Sequence, residues 1–208
     1  MKTILFQGDS ITDSQRIKDD LADMGKGYAR FVNADLGFEF PNEYKFINKG
    51  VSGNTVVGVY SRIKKDIINL KPDYMSILIG VNDVWHEFKY QDGVDNEKFE
   101  KIYTMLIEEI LEELPNLKIM IMAPYVLKGT ATEENWDGFK KEVALRAESA
   151  KRVAEKFNLK FITLQDKFDV ATLKTNNPAY WAYDGVHPTI EGHRLIANEW
   201  KKAFEEIK

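Results

Sequence analysis

Short apolar runs alternate with longer amphipathic stretches along most of this chain. Five runs have the length and composition of buried strands, and they cover residues 3–6, 45–48, 75–79, 118–122 and 160–163. Three stretches repeat apolar residues with the period of an amphipathic helix, and they cover residues 99–115, 137–157 and 189–207. In the last one, Ile196, Trp200 and Phe204 recur every four residues and are expected to pack onto the sheet. This alternation favours a parallel sheet covered on both faces by helices.

Two polar segments interrupt the alternation and predict loops at one edge of the sheet. Residues 13–26 come shortly after the first strand, and residues 128–138 follow the fourth. Loops that emerge at this edge commonly decide which substrate is bound. Surface loops without a role in binding would give the same pattern.

The composition is that of an ordinary globular protein, and it excludes several classes. A length of 208 residues suits a single domain over residues 1–208, with 44% hydrophobic and 30% charged residues. The net charge of -4 argues against nucleic acid or an anionic membrane as the partner. The chain has no cysteine, so disulfides and thiolate metal sites are excluded. The first strand begins too early to leave room for a signal peptide, and a cytoplasmic location is expected.

The first strand ends in the block Gly8-Asp9-Ser10. Gly8 allows a sharp turn there, and the carboxyl end of a strand in an open α/β sheet is where ligands bind. Ser10 is therefore a candidate nucleophile. Strands also end in these residue types for turn reasons alone, so this block by itself proves little.

A candidate acid and base follow near the other end of the chain. Asp184 and His187 are three residues apart, so they can face each other across a turn. The carboxylate would fix the imidazole tautomer, which leaves the other ring nitrogen free to activate a serine. The same residues also suit a simple turn before a helix that begins at Pro188.

Two further strand-end blocks supply candidate hydrogen-bond donors. Gly53 follows the second strand, and Asn82 follows the third. A glycine N–H and a neutral side-chain amide are groups from which an oxyanion hole is built. Structural glycines and turn asparagines explain either block separately. Ser52 lies in a near match to the nucleophile elbow of α/β-hydrolases, but Asn54 replaces the last glycine, and Ser52 is expected to shape the turn.

The four blocks together resemble the signature blocks of the SGNH (GDSL-type) esterases. They read Gly8-Asp9-Ser10, Gly53, Gly80-x-Asn82-Asp83 and Asp184-x-x-His187-Pro188. The resemblance implies a three-layer α/β/α sandwich with a five-stranded parallel sheet in flavodoxin-like order. The sequence around Gly53 and Asn82 is similar to the bacterial intracellular branch that deacetylates xylo-oligosaccharides. That branch also allows for a homo-oligomer.

The resemblance agrees with the roles inferred from the residues. Ser10, His187 and Asp184 form the expected catalytic triad, and Ser10, Gly53 and Asn82 form the expected oxyanion hole. The candidate substrate-binding residues are Asp9, Asn54, Trp85, Trp181 and Tyr183. Packing explains the aromatic residues equally well, and Asp9 and Asp83 suit the orientation of loop backbone. No cofactor is expected, and no metal site, because no cluster of histidines and carboxylates has ligand spacing.

The function expected from the sequence is a serine esterase that removes acetyl groups from carbohydrates, with acetylated xylo-oligosaccharides as the expected substrate. The expected partner is a small acetylated sugar or another short-acyl ester. Tyr183 departs from the branch, whose members often carry Trp before the aspartate. The alternatives are a lysophospholipase or short-chain thioesterase of the same family, and a binding module that keeps the fold without activity. An FMN carrier of similar fold is disfavoured because Asp9 would repel a phosphate in the first loop.

Overall fold

Five strands form one parallel sheet in the computed structural model, which describes all of residues 1–208. The strands are Lys2–Gly8 (β1), Tyr44–Asn48 (β2), Tyr74–Leu78 (β3), Lys118–Met122 (β4) and Lys160–Ile162 (β5). Their order in the sheet is β2-β1-β3-β4-β5. Phe6 of β1 lies opposite Asn48 of β2 and Ser76 of β3. This is the flavodoxin-like order, and it confirms the predicted α/β fold.

Nine helices connect the strands and cover both faces of the sheet. They are Ser10–Asp13 (α1), Tyr28–Glu39 (α2), Val56–Ser61 (α3), Ile63–Asp66 (α4), Val81–Tyr90 (α5), Asn96–Glu113 (α6), Trp136–Lys156 (α7), Gln165–Thr175 (α8) and Ile190–Glu205 (α9). The three predicted helices correspond to α6, α7 and α9. None of the nine combines the length and the apolar character needed to cross a lipid bilayer.

Alternate side chains of each strand enter two separate hydrophobic cores. Phe6 of β1 faces α2 and α9, whereas Leu5 beside it faces α3, α6 and α7. The predicted packing of α9 is confirmed, because the Trp200 ring lies 5.4 Å from Phe6 and 4.9 Å from Phe204. Removal of such a buried aromatic side chain typically costs about 3–5 kcal/mol of stability.

The central position of β1 brings three strand-end segments together. Because β1 lies between β2 and β3, the segment after Gly8 lies between the segments that follow those two neighbours. Gly8 has a φ of +155°, and a Cβ there would lie 2.3 Å from the Leu78 carbonyl oxygen and 2.5 Å from Thr12 Oγ1. Only glycine allows the chain to leave β1 this close to β3. The turn places Ser10 at the carboxyl edge of the sheet.

Candidate active site

Ser10 is the first residue of α1, directly after β1. Asp9 caps this short helix, and its Oδ1 accepts a hydrogen bond of 2.9 Å from the Ile11 N–H. The N–H of Ser10 has no hydrogen-bond partner within the protein. The cap fixes the backbone around Ser10, which leaves both its hydroxyl and its N–H available to a ligand.

Ser10, His187 and Asp184 form a continuous chain of hydrogen-bonding atoms. Ser10 Oγ lies 3.0 Å from His187 Nε2, and His187 Nδ1 lies 2.7 Å from Asp184 Oδ2. The other oxygen of Asp184 accepts the N–H groups of Val186 at 2.9 Å and His187 at 2.8 Å. Because the carboxylate accepts from Nδ1, a neutral His187 carries its proton there and has Nε2 free to accept from Ser10.

The loop over residues 128–138 holds the turn that carries Asp184. The N–H of Ala131 donates to the Asp184 carbonyl oxygen at 2.9 Å, and the Leu127 N–H donates to the Gly185 carbonyl oxygen at 2.8 Å. The buried Tyr125 hydroxyl donates to the Val186 carbonyl oxygen at 3.2 Å. This predicted edge loop and the residues just before it therefore hold the turn that carries Asp184.

The hydrogen bond between Asp184 and His187 shifts both pKa values. It raises the pKa of His187 above 6.5, although partial burial of the imidazole acts in the opposite direction. Burial also opposes the charge of Asp184, but the hydrogen bonds from His187 and the backbone outweigh it and lower its pKa. A charged Asp184 therefore faces an imidazole that readily accepts a proton.

Gly53 and Asn82 face the same cleft as Ser10. Gly53 has a φ of +80°, which a residue with a Cβ rarely adopts, and its N–H has no partner within the protein. The Asn82 side-chain amide donates to the Asn54 carbonyl oxygen at 3.0 Å, which leaves its second N–H free. Together with Ser10, these residues give the cleft three N–H groups without a partner in the protein.

Asp13 links α1 to the Gly53 turn, a contact between residues that lie far apart in the sequence. Its buried Oδ2 accepts from the Ser52 hydroxyl at 2.6 Å and from the Ser52 N–H at 3.1 Å. Arg16 lies beside it and donates to the Gly50 carbonyl oxygen at 3.0 Å. The predicted edge loop therefore starts after Asp13, which belongs to α1. The only sequence feature that points to this contact is an acidic residue one helical turn after Ser10.

Two of the candidate substrate-binding residues lie against the imidazole of His187. The Trp85 ring centre is 5.7 Å from that of His187, and the planes are tilted by 53°. The Tyr183 ring centre is also 5.7 Å away, with planes only 14° apart. Each aromatic ring lines a different cleft beside Ser10.

The other three candidate substrate-binding residues do not direct their side chains into those clefts. Asp9 is buried under α1, and its carboxyl group caps the helix. Asn54 Oδ1 accepts from Arg62 Nε at 2.8 Å. Trp181 donates its indole N–H to Thr175 and lines a separate groove of about 860 Å³ beside α9. Sequence position alone could not tell which way these side chains point.

Asp9 and Asp83 are both fully buried carboxyl groups. Burial raises the pKa of each to about 7. Asp83 accepts the Val56 N–H at 3.0 Å and thereby holds the start of α3, just after the Gly53 turn. Both residues bind loop backbone beneath the site rather than opening onto it.

A parallel sheet with a serine just after its first strand, beside a histidine and an aspartate from one turn, is typical of a class of hydrolases. The chain belongs to the GDSL-like lipase/acylhydrolase family, whose profile matches residues 6–195. It is accordingly a carboxylic ester hydrolase with the SGNH fold.

Several relatives match the chain over nearly its whole length. The acetylxylan esterase of Geobacillus stearothermophilus is 33% identical over 99% of this chain and 95% of its own. The solved structure of Axe2, an acetylxylan esterase from Geobacillus stearothermophilus, is 31% identical, with a TM-score of 0.86 over 97% of this chain and 93% of its own. A protein of Parabacteroides merdae described as a GDSL-like lipase has a TM-score of 0.91 at 35% identity, over 98% and 95%.

Solved variants of Axe2 include three that are described as catalytic mutants. They replace a serine, an aspartate and a histidine by alanine, and the last two are three positions apart. The spacing is the same as that of Asp184 and His187 here. A further Axe2 variant replaces a tryptophan immediately before that aspartate. Tyr183 precedes Asp184 in this chain.

Proposed function

We propose that this esterase removes acetyl groups from acetylated xylo-oligosaccharides through a covalent intermediate on Ser10. The observation that carries the proposal is the unbroken chain from Ser10 through His187 to Asp184, with unpartnered N–H groups beside the serine. The match to an acetylxylan esterase over 99% of the chain supports acetyl and xylo-oligosaccharide as the two parts of the substrate.

In the acylation step, Ser10 Oγ attacks the ester carbonyl carbon as its proton moves to His187 Nε2. Asp184 stabilises the imidazolium that forms and does not itself take up the proton. The carbonyl oxygen becomes an oxyanion, which accepts from the N–H groups of Ser10 and Gly53 and from the Asn82 amide. When the carbon–oxygen bond to the sugar breaks, His187 returns the proton to the leaving alcohol.

Deacylation repeats these steps with water as the nucleophile. His187 Nε2 takes one proton from the water as its oxygen attacks the acetyl carbonyl. The same three donors stabilise the second oxyanion. The bond to Ser10 Oγ then breaks, His187 protonates the serine, and acetate leaves.

The clefts beside Ser10 favour a short acyl group over a long one. They have volumes of about 420 and 350 Å³, and polar residues make up most of each lining. A long acyl chain would displace water from these polar groups without replacing their hydrogen bonds. We therefore expect acetyl esters to be hydrolysed faster than octanoyl esters.

The test compares wild type with Ser10→Ala on acetylated xylobiose, p-nitrophenyl acetate and p-nitrophenyl octanoate. We expect serine-dependent acetate release from the sugar and from the aryl acetate, with little octanoate release. Ser61→Ala is the matched control, because this exposed serine on α3 lines neither cleft.

Each other result would overturn a separate part of the proposal. Faster hydrolysis of octanoate would favour a lysophospholipase or thioesterase. Full activity of Ser10→Ala would exclude Ser10 as the nucleophile. Activity of the wild type on the aryl ester alone would exclude acetylated xylo-oligosaccharides as the substrate. The cytoplasmic location and a homo-oligomer stay predictions, which cell fractionation and light scattering would check.

A further inference from the structure

His187 lies between two clefts that differ in chemistry. The tryptophan cleft, with Trp85, contains the oxyanion donors Gly53 and Asn82. The polar cleft, with Tyr183, is lined by Ser14, Gln15, Lys26 and His193. Both clefts include Ser10 and His187. The mechanism of ester cleavage uses Ser10 and His187 but none of the side chains of Ser14, Gln15, Lys26 and His193.

We propose that Ser14, Gln15 and Lys26 form the subsite for the alcohol part of the ester and bind its hydroxyl groups. The assignment rests on the proposed function and on the positions of the reacting atoms. The carbonyl oxygen must face Gly53 and Asn82, whereas the leaving oxygen must face His187 Nε2. The alcohol therefore extends from His187 toward the polar cleft.

The backbone holds Ser14 and Gln15 in a conformation that non-glycine residues rarely adopt. Their φ angles are +41° and +61°, which lie in the left-handed region that residues with a Cβ rarely adopt. The turn is fixed by the Lys26 N–H, which donates to the Ser14 carbonyl oxygen at 2.8 Å, and by the close approach of Gly25. Strain of this kind persists where the surrounding structure enforces it, and it is concentrated at functional sites.

A buried histidine sets the direction of the Ser14 hydroxyl. His193 Nδ1 accepts the Tyr28 N–H at 3.2 Å, so the neutral ring carries its proton on Nε2. That nitrogen lies 3.5 Å from Ser14 Oγ. Burial lowers the pKa of His193 to about 4, so the ring stays neutral at ordinary pH. Since Ser14 Oγ accepts from His193, its own proton is free to point into the polar cleft.

Lys26 and Gln15 add further donors at the rim. Lys26 Nζ donates to Gln15 Oε1 at 2.7 Å, which fixes the amide so that its NH₂ group is the free end. Two ammonium N–H groups of Lys26 also stay free. No carboxylate lines the polar cleft. Its free groups are therefore mainly donors, which suit the hydroxyl and ether oxygens of a sugar.

The experiment measures kcat/KM of Ser14→Ala and Lys26→Ala on acetylated xylobiose and on p-nitrophenyl acetate. We expect losses of roughly 3–10-fold for Ser14→Ala and 10–100-fold for Lys26→Ala on the sugar ester, in line with neutral and charged hydrogen bonds. Hydrolysis of the aryl ester should stay within about twofold. Lys18→Ala, an exposed lysine of the same loop, is the matched control.

A second pair of substrates tests the subsite even if the natural alcohol is not a sugar. Glycerol monoacetate carries free hydroxyls, whereas ethyl acetate carries none. The two variants should lose activity on the first and keep it on the second. Equal losses on both esters, or none on either, would overturn the subsite. Absence of acetate release from xylobiose by wild type would overturn the sugar assignment alone.

Discussion

Two carboxyl groups raise the pKa of His187, and their environments are opposite. Asp184 accepts three hydrogen bonds, two from backbone N–H groups and one from the imidazole. Asp9 accepts one, from the Ile11 N–H, and its Oδ2 is buried without a partner. The pKa of Asp184 is lowered, whereas that of Asp9 is raised to about 7.

The contrast shows that donors, more than position, decide which carboxyl group is charged. Each N–H that points at Asp184 replaces part of the water lost on partial burial. Asp9 lost its water and gained one donor, so its neutral form is favoured until about pH 7. One acid therefore serves His187 as a permanent charge, and the other caps α1.

The largest expected effect separates these two acids by activity. Asp184→Asn should lower kcat by on the order of 10⁴, because an amide no longer holds the Nδ1–H tautomer of His187. Asp9→Asn should change kcat by less than tenfold, because the amide oxygen can still cap the Ile11 N–H. Steady-state hydrolysis of p-nitrophenyl acetate measures both, and equal losses would remove the distinction.

The second effect is on stability, and it changes with pH. The pKa of Asp9 is 3.8 before folding and about 7 afterwards, so between these values the native state holds a proton that the unfolded chain releases. This contribution to stability therefore falls as pH rises from about 4 to 7.

Asp9→Asn removes that dependence. Relative to wild type, the variant should gain up to about 4 kcal/mol between pH 4 and pH 8, as expected for a carboxyl group whose pKa rises from 3.8 to about 7 on folding. Urea unfolding of both proteins at several pH values measures the difference. A constant difference across that range would show that Asp9 is charged throughout.

Asn82 allows a test of a single hydrogen-bond donor beside Ser10. Asn82→Ala removes one donor to the oxyanion and should lower kcat by roughly 10²–10³, or about 3–4 kcal/mol of transition-state stabilisation. KM should change much less, because the donor acts on charge that develops during the reaction. A large rise in KM with unchanged kcat would place Asn82 in ground-state binding instead.

The smallest expected effect is on the pH profile. Because His187 must be neutral to accept the serine proton, kcat/KM should rise with pH through a midpoint above 6.5. The charge of Asp9 contributes to that raised pKa, so the midpoint should fall in Asp9→Asn. Profiles measured on p-nitrophenyl acetate would show this, and an unmoved midpoint would mean that Asp9 is neutral where His187 titrates.

Local patterns predicted the sheet and the placement of the main polar blocks well. A buried parallel strand is apolar at successive positions, and the polar residue that ends it lies at the ligand-binding edge. The positions of Ser10 and Asn82 at this edge of the sheet therefore follow from the sequence alone. The sequence does not indicate the helix α8, because only Phe168 and Ala171 of its residues are buried and its apolar pattern is weak.

Contacts between distant side chains could not be predicted in the same way. The bond between Asp13 and Ser52 joins residues 39 positions apart, and it depends on how α1 packs against the turn after β2. Trp181 and Tyr183 are both aromatic and two positions apart, yet only Tyr183 reaches His187. The direction of a side chain on an irregular loop follows from tertiary packing, which residue types alone do not specify.

The contact between Trp85 and His187 has an optical consequence. A protonated imidazole quenches indole fluorescence more strongly than a neutral one, and the two ring centres are 5.7 Å apart. The emission of Trp85 should therefore increase as His187 loses its proton. The other three tryptophans, Trp136, Trp181 and Trp200, have no ring contact with His187, so their emission should not follow that proton. The intrinsic fluorescence of the protein should therefore report the charge of His187, its proposed base, without any substrate.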